Sequence, residues 1–224
     1  MAAYGSDCLF HFTGRDKTPE ECCGILLSII RNGLKFNCND KESLEYIETL
    51  PEEFRIKFVT PIICLTEIPL GYIYPQMQNY GRFGIGLSKE WALKNHAQPV
   101  IYLDRTCLGF GEGLRILLKD IKDKTKVQNA LGYIVPFFRE FEFHEEREWR
   151  FIEALSGSEI KDRESNSRTH AGKYLNFERA DIKYIIVPEQ YLNNVRDKIE
   201  DIFFEKYGDR VISFEMVAYE NISN

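Results

Sequence analysis

The segment from Leu9 to Gly33 constrains the fold more than any other part of the chain. LFHFT, residues 9–13, is a short aromatic and apolar run closed by Gly14, which predicts a strand. A helix must follow almost at once. Thr18 fits an N-cap, Pro19 the first helical position, Glu20 and Glu21 the positive end of the helix dipole, and Gly33 the residue just past the end. Cys22, Ile25, Leu26, Ile29 and Ile30 share one face of that helix. Strand alternation puts Phe10 and Phe12 on one side of the first strand and Leu9, His11 and Thr13 on the other.

Further along, residues 58–66 (FVTPIICLT) form a second strand candidate, with Pro61 at an edge or a bend. Residues 67–79 read as irregular. Phe83 to Leu87 predicts a strand, Ser88 caps a short helix running to Asn95, and PVIYL (99–103) returns as a strand. Residues 113–124 predict a helix with Leu114, Leu117, Leu118 and Ile121 on one side. The aromatic and β-branched stretches 132–143 and 147–153 predict two long strands joined around His144 to Glu146, in the middle of the sheet. Residues 156–173 are almost wholly polar and read as a long exposed loop. Tyr184 to Val187 predicts a strand, 189–207 a helix and 211–217 a closing strand. With no repeat and no clear linker, residues 1–224 read as a single α+β domain.

The net charge of −6 excludes bulk electrostatic attraction to nucleic acid, leaving only a local basic cleft for such contacts. Cys8, Cys22, Cys23, Cys38, Cys64 and Cys107 show no paired ligand spacing, and several sit among apolar neighbours. Reduced, buried thiols are expected, and neither a disulfide framework nor a metal site. The start MAAYGSDCLF lacks a secretory pattern and no run reaches the length of a membrane span, so a cytoplasmic protein without a membrane partner is expected.

Three places could carry chemistry. His11 and Thr13 share a strand face. In 146–153 alternation places Glu146, Glu148 and Arg150 together, either as a solvated face laced with ion pairs or as the wall of a cleft. Tyr80, Gly81, Gly84 and Gly86 (YGRFGIG) lack the strand-before, helix-after setting of a dinucleotide fingerprint. The carboxylates, with His144, also suit a metal-using nuclease, although no further acidic or histidine cluster completes such a site.

LFHFTG followed by GILLSIIRNGL resembles the first strand and helix of poly(ADP-ribose) polymerase-like and DarT-like enzymes. YGRFGIGL resembles their glycine-tyrosine strand, and HEEREWRF supplies a Glu-x-Glu pair where those families place a catalytic glutamate. The chain as a whole, including TPIICLTEIPL and EREWR, is similar to the AbiGi family of abortive phage-resistance proteins.

The transferase resemblance implies an ADP-ribosyltransferase-like split antiparallel β-sheet core with flanking helices, and NAD as substrate. It implies transfer of ADP-ribose to a protein or nucleic-acid acceptor. Glu148 would stabilise the ribose cation, with His11 and Tyr80 completing the catalytic set. His11, Thr13, Gly14, Arg15, Tyr80, Gly81, Glu146 and Arg150 would hold NAD and the acceptor, with Trp91 as a substitute for Tyr80. The sequence departs from the polymerases at Gly86 and Leu87, where an aromatic pair follows the glycine. The AbiGi name implies instead a non-catalytic antitoxin or partner-binding component, with a cognate toxin or antitoxin as its partner.

Overall fold

The computed structural model describes residues 6–38, 61–103, 108–119, 121–153, 174–203 and 210–220. The expectations for residues 58–60 and 156–173 and for Cys107 lie outside them. The strands are β1 (Cys8–Thr13), β2 (Leu34–Lys35), β3 (Asn37–Cys38), β4 (Pro61–Thr66), β5 (Phe83–Ser88), β6 (Gln98–Pro99), β7 (Ile101–Leu103), β8 (Phe138–Glu140), β9 (Glu148–Ile152), β10 (Tyr174–Leu175), β11 (Ile182–Val187) and β12 (Val211–Ser213). The helices are α1 (Pro19–Asn32), α2 (Tyr74–Tyr80), α3 (Lys89–Lys94), α4 (Leu108–Leu118), α5 (Lys124–Ile134), α6 (Leu192–Phe203) and α7 (Phe214–Glu220).

These elements form two compact units interleaved in sequence. The first takes Met1–Lys35, Cys64–Asn95 and Lys173–Asn224, and the second takes Phe36–Ile63 and His96–Gly172. Because each unit is assembled from separated stretches, no single linker marks the division.

The first unit is built on strands in the order β12-β11-β5-β1-β4. β11, β5, β1 and β4 pair antiparallel, whereas β11 and β12 run parallel, so the sheet is mixed. On β1, Cys8 and Phe10 pack with Ile73 and Met77 around α2 and with Phe214 and Val217 of α7. β5 answers them with glycines. A Cβ on Gly84 would come within 2.7 Å of the Phe12 ring, and one on Gly86 within 2.8 Å of the Phe10 ring. The Gly-x-Gly spacing therefore makes room for two aromatic rings on the neighbouring strand.

α1 forms as its sequence dictates. The Thr18 hydroxyl accepts from Glu21 N, the Glu21 carboxylate accepts from Thr18 N, and Gly33 N donates to Ile29 O at 2.8 Å. Cys22, Leu26, Ile29 and Ile30 are buried as expected, Cys23 joins them, and Ile25 is only partly covered. Ser88 caps α3 by accepting from Trp91 N.

The second unit holds α4, α5 and three small pairings: β3 with β4, β6 with β9, and β7 parallel to β8. Its core includes Leu118, Val127, Leu131, Phe138, Trp149 and Phe151.

Several expectations are corrected. Residues 74–80 are helical rather than irregular, because Pro75 suits a first turn and Ile73 and Met77 bury one face. The strand expected over 99–103 breaks into β6 and β7, which pair with different partners. The helix expected over 113–124 begins at Leu108 and ends at Leu118, and Asp123 then caps α5 by accepting from Lys126 N. Of the strand expected over 132–143 only Phe138–Glu140 forms, between the end of α5 with the 3-10 turn Val135–Phe137 and a second 3-10 run from Phe141, since Pro136 cannot donate to a ladder. The helix expected from 189 opens as a 3-10 turn, Glu189–Tyr191, before α6. β12 stops at Ser213, whose hydroxyl accepts from Met216 N and starts α7 where more strand was expected.

Candidate functional site

Within the first unit, the loop leaving β1 and the loop leaving α2 meet. Gly14 (φ 100°) and Gly81 (φ 117°) both take left-handed backbone conformations. A Cβ at Gly81 would run into the Thr13 carbonyl, and one at Gly14 into the Cys22 thiol, so only glycine allows these approaches. The Arg15 guanidinium lies 5.9 Å from the centre of the Tyr80 ring. Thr13, Gly14, Arg15, Tyr80 and Gly81, five of the binding residues expected from the sequence, are thus brought together.

Beside them is a cleft of about 630 Å³ within the usual size range of small-molecule sites. Gly14, Arg15 and Gly81 line it; His11, Thr13 and Tyr80 do not. Lys17 and Arg82 add positive charge that the sequence reading did not single out, while Asp16 and Glu215 are its carboxylates. Arg82 also packs over the Phe214 ring at 5.1 Å. Trp91, the substitute for Tyr80, is instead a buried side chain whose indole N–H donates to Asn176 O at 3.3 Å.

His11 is partly buried on β1, and its Nδ1 lies 2.9 Å from Cys64 O. A carbonyl can only accept, so Nδ1 carries the hydrogen and Nε2 is left as an acceptor in the neutral ring. Burial holds the imidazole pKa below its ordinary value, and the Cys64 carbonyl offsets this only in part.

Glu146, Glu148 and Arg150 belong to the second unit, where Glu148 and Arg150 pair on β9 and Glu146, in the 3-10 turn before it and not on the strand as expected, joins them through Arg139. Arg150 Nε donates to Glu148 Oε1 at 2.7 Å, one terminal nitrogen donates to Oε2 at 2.9 Å, and the other donates to Pro136 O at 2.7 Å. Arg139 adds a second guanidinium, 3.5 Å from Glu148 Oε2 and 3.5 Å from Glu146 Oε2. Glu148 N donates to the Tyr102 phenol oxygen at 2.7 Å, and burial pushes that phenol up to about 12. Every residue of β9 is buried. This face, which alternation allowed to be solvated or to wall a cleft, is a closed ionic network. Arg139 and Tyr102 were missed, although an arginine inside the aromatic run FFREFEF already called for a carboxylate partner.

Among the described residues no three His, Cys, Asp or Glu side chains are grouped to hold a metal ion. Cys8, Cys22 and Cys23 are free thiols. No helix of the described residues is long and apolar enough to cross a membrane.

Residues 35–133 match the family described as putative abortive phage resistance protein AbiGi, antitoxin. The chain is AbiGi-like. It is 25% identical over 196 residues to the abortive phage resistance protein AbiGi of Lactococcus lactis subsp. cremoris, an alignment covering 65% of this chain and 79% of that relative. The AbiGi-like match takes in TPIICLTEIPL, one of the two segments that carried the resemblance, while EREWR lies beyond residue 133. Neither description mentions a transferase. No solved structure matches the chain.

Proposed function

We propose that this AbiGi-like chain acts as a non-catalytic, partner-binding component of an abortive phage-resistance system, of the antitoxin type. The observation that carries the reading is the state of Glu148. A carboxylate that stabilises a ribose cation must face the substrate, whereas this one is buried and held at both oxygens by Arg150. The antitoxin description of the matched family and the net charge of −6 support the same reading, because an acidic chain can mask a basic toxin surface. Co-expression with the product of the neighbouring gene tests it. A stable complex and relief of that product's toxicity are expected; absence of a complex, with the chain toxic when expressed alone, would defeat the reading.

A second reading is that the first unit binds NAD and the chain transfers ADP-ribose to a protein or nucleic-acid acceptor. It is favoured by the convergence of Thr13, Gly14, Arg15, Tyr80 and Gly81 beside a cleft that also presents Lys17 and Arg82. Basic side chains there suit a pyrophosphate. Titration of NAD by calorimetry, followed by incubation of labelled NAD with the chain and cell lysate, tests binding and transfer separately.

A further inference from the structure

The second unit carries an exposed turn that the ionic network does not account for. Phe141–Glu146 is a 3-10 run of six residues, FEFHEE, between β8 and β9. Phe141 is 52% exposed and Phe143 36%, and β7, which lies against the same turn, presents Ile101 at 52% exposure. Single exposed apolar residues are ordinary; Phe141 and Phe143 are two exposed rings two residues apart on one turn, and Ile101 adds exposed apolar surface on β7, where it pairs with Phe138. Glu142 and Glu145, both exposed, flank the rings.

The turn is also held rigid. His144 Nδ1 lies 2.8 Å from Phe141 O, the two rings stack at 4.6 Å, and Arg147 N donates to His144 O at 3.2 Å. Arg147 itself takes a left-handed conformation with φ 43°, which turns the chain sharply into β9. From beneath, the Arg139 guanidinium sits 4.4 Å from the Phe143 ring centre while pairing with Glu146. The aromatic side chains are thus kept at the surface by structure beneath and beside them, and little ordering remains to be done on binding.

We propose that this turn is the docking surface for an arginine- or lysine-rich segment of a partner protein, an inference that rests on the partner-binding reading above. Aromatic faces and carboxylates side by side complement a guanidinium, which stacks on a ring while its N–H groups pair with a carboxylate. Charge selects the occupant: Glu142 and Glu145 outnumber the exposed Arg147 that ends the turn, and on a chain of net charge −6 they repel nucleic acid and anionic membranes and attract a basic protein.

The test titrates a labelled oligo-arginine peptide into the full chain, followed by fluorescence anisotropy, with circular dichroism confirming that each variant is folded. Saturable binding is expected. The triple variant Phe141→Ala, Glu142→Lys, Glu145→Lys should weaken it by about tenfold or more, as loss of an aromatic anchor and its charged rim does. Asp197→Lys with Asp201→Lys, the same change of charge on exposed positions of α6, should weaken it by less than about twofold at moderate salt. Equal losses in the two variants would show that net charge alone attracts the peptide and would overturn the proposal. So would concentration-dependent self-association of the free chain that Phe141→Ala abolishes, because the turn would then serve a second copy. The co-expressed partner separates the two claims: a complex that survives the triple variant removes this surface but leaves the antitoxin reading. Peptide binding at the turn without any complex does the reverse.

Discussion

Arg150 grips Glu148 two residues away on the same strand face, with Nε 2.7 Å from Oε1 and a second nitrogen 2.9 Å from Oε2. Both side chains are buried, and Arg150 is the group that holds both Glu148 oxygens, Arg139 reaching only Oε2 at 3.5 Å. Removing Arg150 leaves the Glu148 carboxylate in a poorly solvated site with only the longer Arg139 contact. Arg150→Met should therefore lower unfolding free energy by about 3–5 kcal/mol, read from urea denaturation. Arg150→Lys should recover little of it, because an ammonium cannot reproduce the two-point fork. A loss below about 1 kcal/mol, as for exposed ion pairs, would contradict the closed network.

The packing of Gly84 against Phe12 gives a second test. Gly84→Ala places a methyl group where the Phe12 ring stands and should cost about 1–3 kcal/mol. Phe12→Leu in the same chain should restore part of that loss, since the two positions share one space. Additive losses in the double variant would mean that the glycine is required for another reason.

Acid should weaken the first unit through His11. Its folded-state pKa lies below the ordinary value near 6.5, so the unfolded chain binds the proton more readily. The stabilisation is complete above about pH 6.5 and is lost as pH falls from there towards the folded-state pKa. His11→Gln should flatten this part of the stability profile while leaving the acidic limb set by carboxylates. An unchanged slope between pH 7 and pH 5 would assign the titration to another group.

Any NAD affinity should depend on the cleft and not on the Glu148 network. Arg15→Ala and Arg82→Ala should each weaken it by about tenfold, the loss typical of one charge-assisted contact. The measurement is calorimetric titration of NAD into each folded variant. Affinity unaffected by both substitutions would place any nucleotide elsewhere.

The local elements that the sequence announced are those whose signals are complete within a few residues. Thr18, Pro19, Glu21 and Gly33 fix α1, Ser88 fixes the start of α3, and alternation in LFHFT separates Phe10 and Phe12 from His11 and Thr13. Where one residue interrupts the pattern, the reading failed. Pro136 turned an expected strand into a 3-10 turn, and Ser213 ended a strand by capping a helix.

The candidate site divides in the same way. By itself the sequence determined which residues share a strand face, because side-chain alternation is a property of the extended backbone. Thus Glu148 and Arg150 share β9 as expected, and His11 and Thr13 share β1, whereas Glu146, expected on the same face, lies in the 3-10 turn before β9. Only the tertiary structure decided what each face meets. Arg139, on β8, which pairs with β7, reaches Glu146 and Glu148, and Gly81 brings the end of α2 against the Thr13 carbonyl. Burial and charge pairing depend on which separated segments pack together, and no local periodicity encodes that choice.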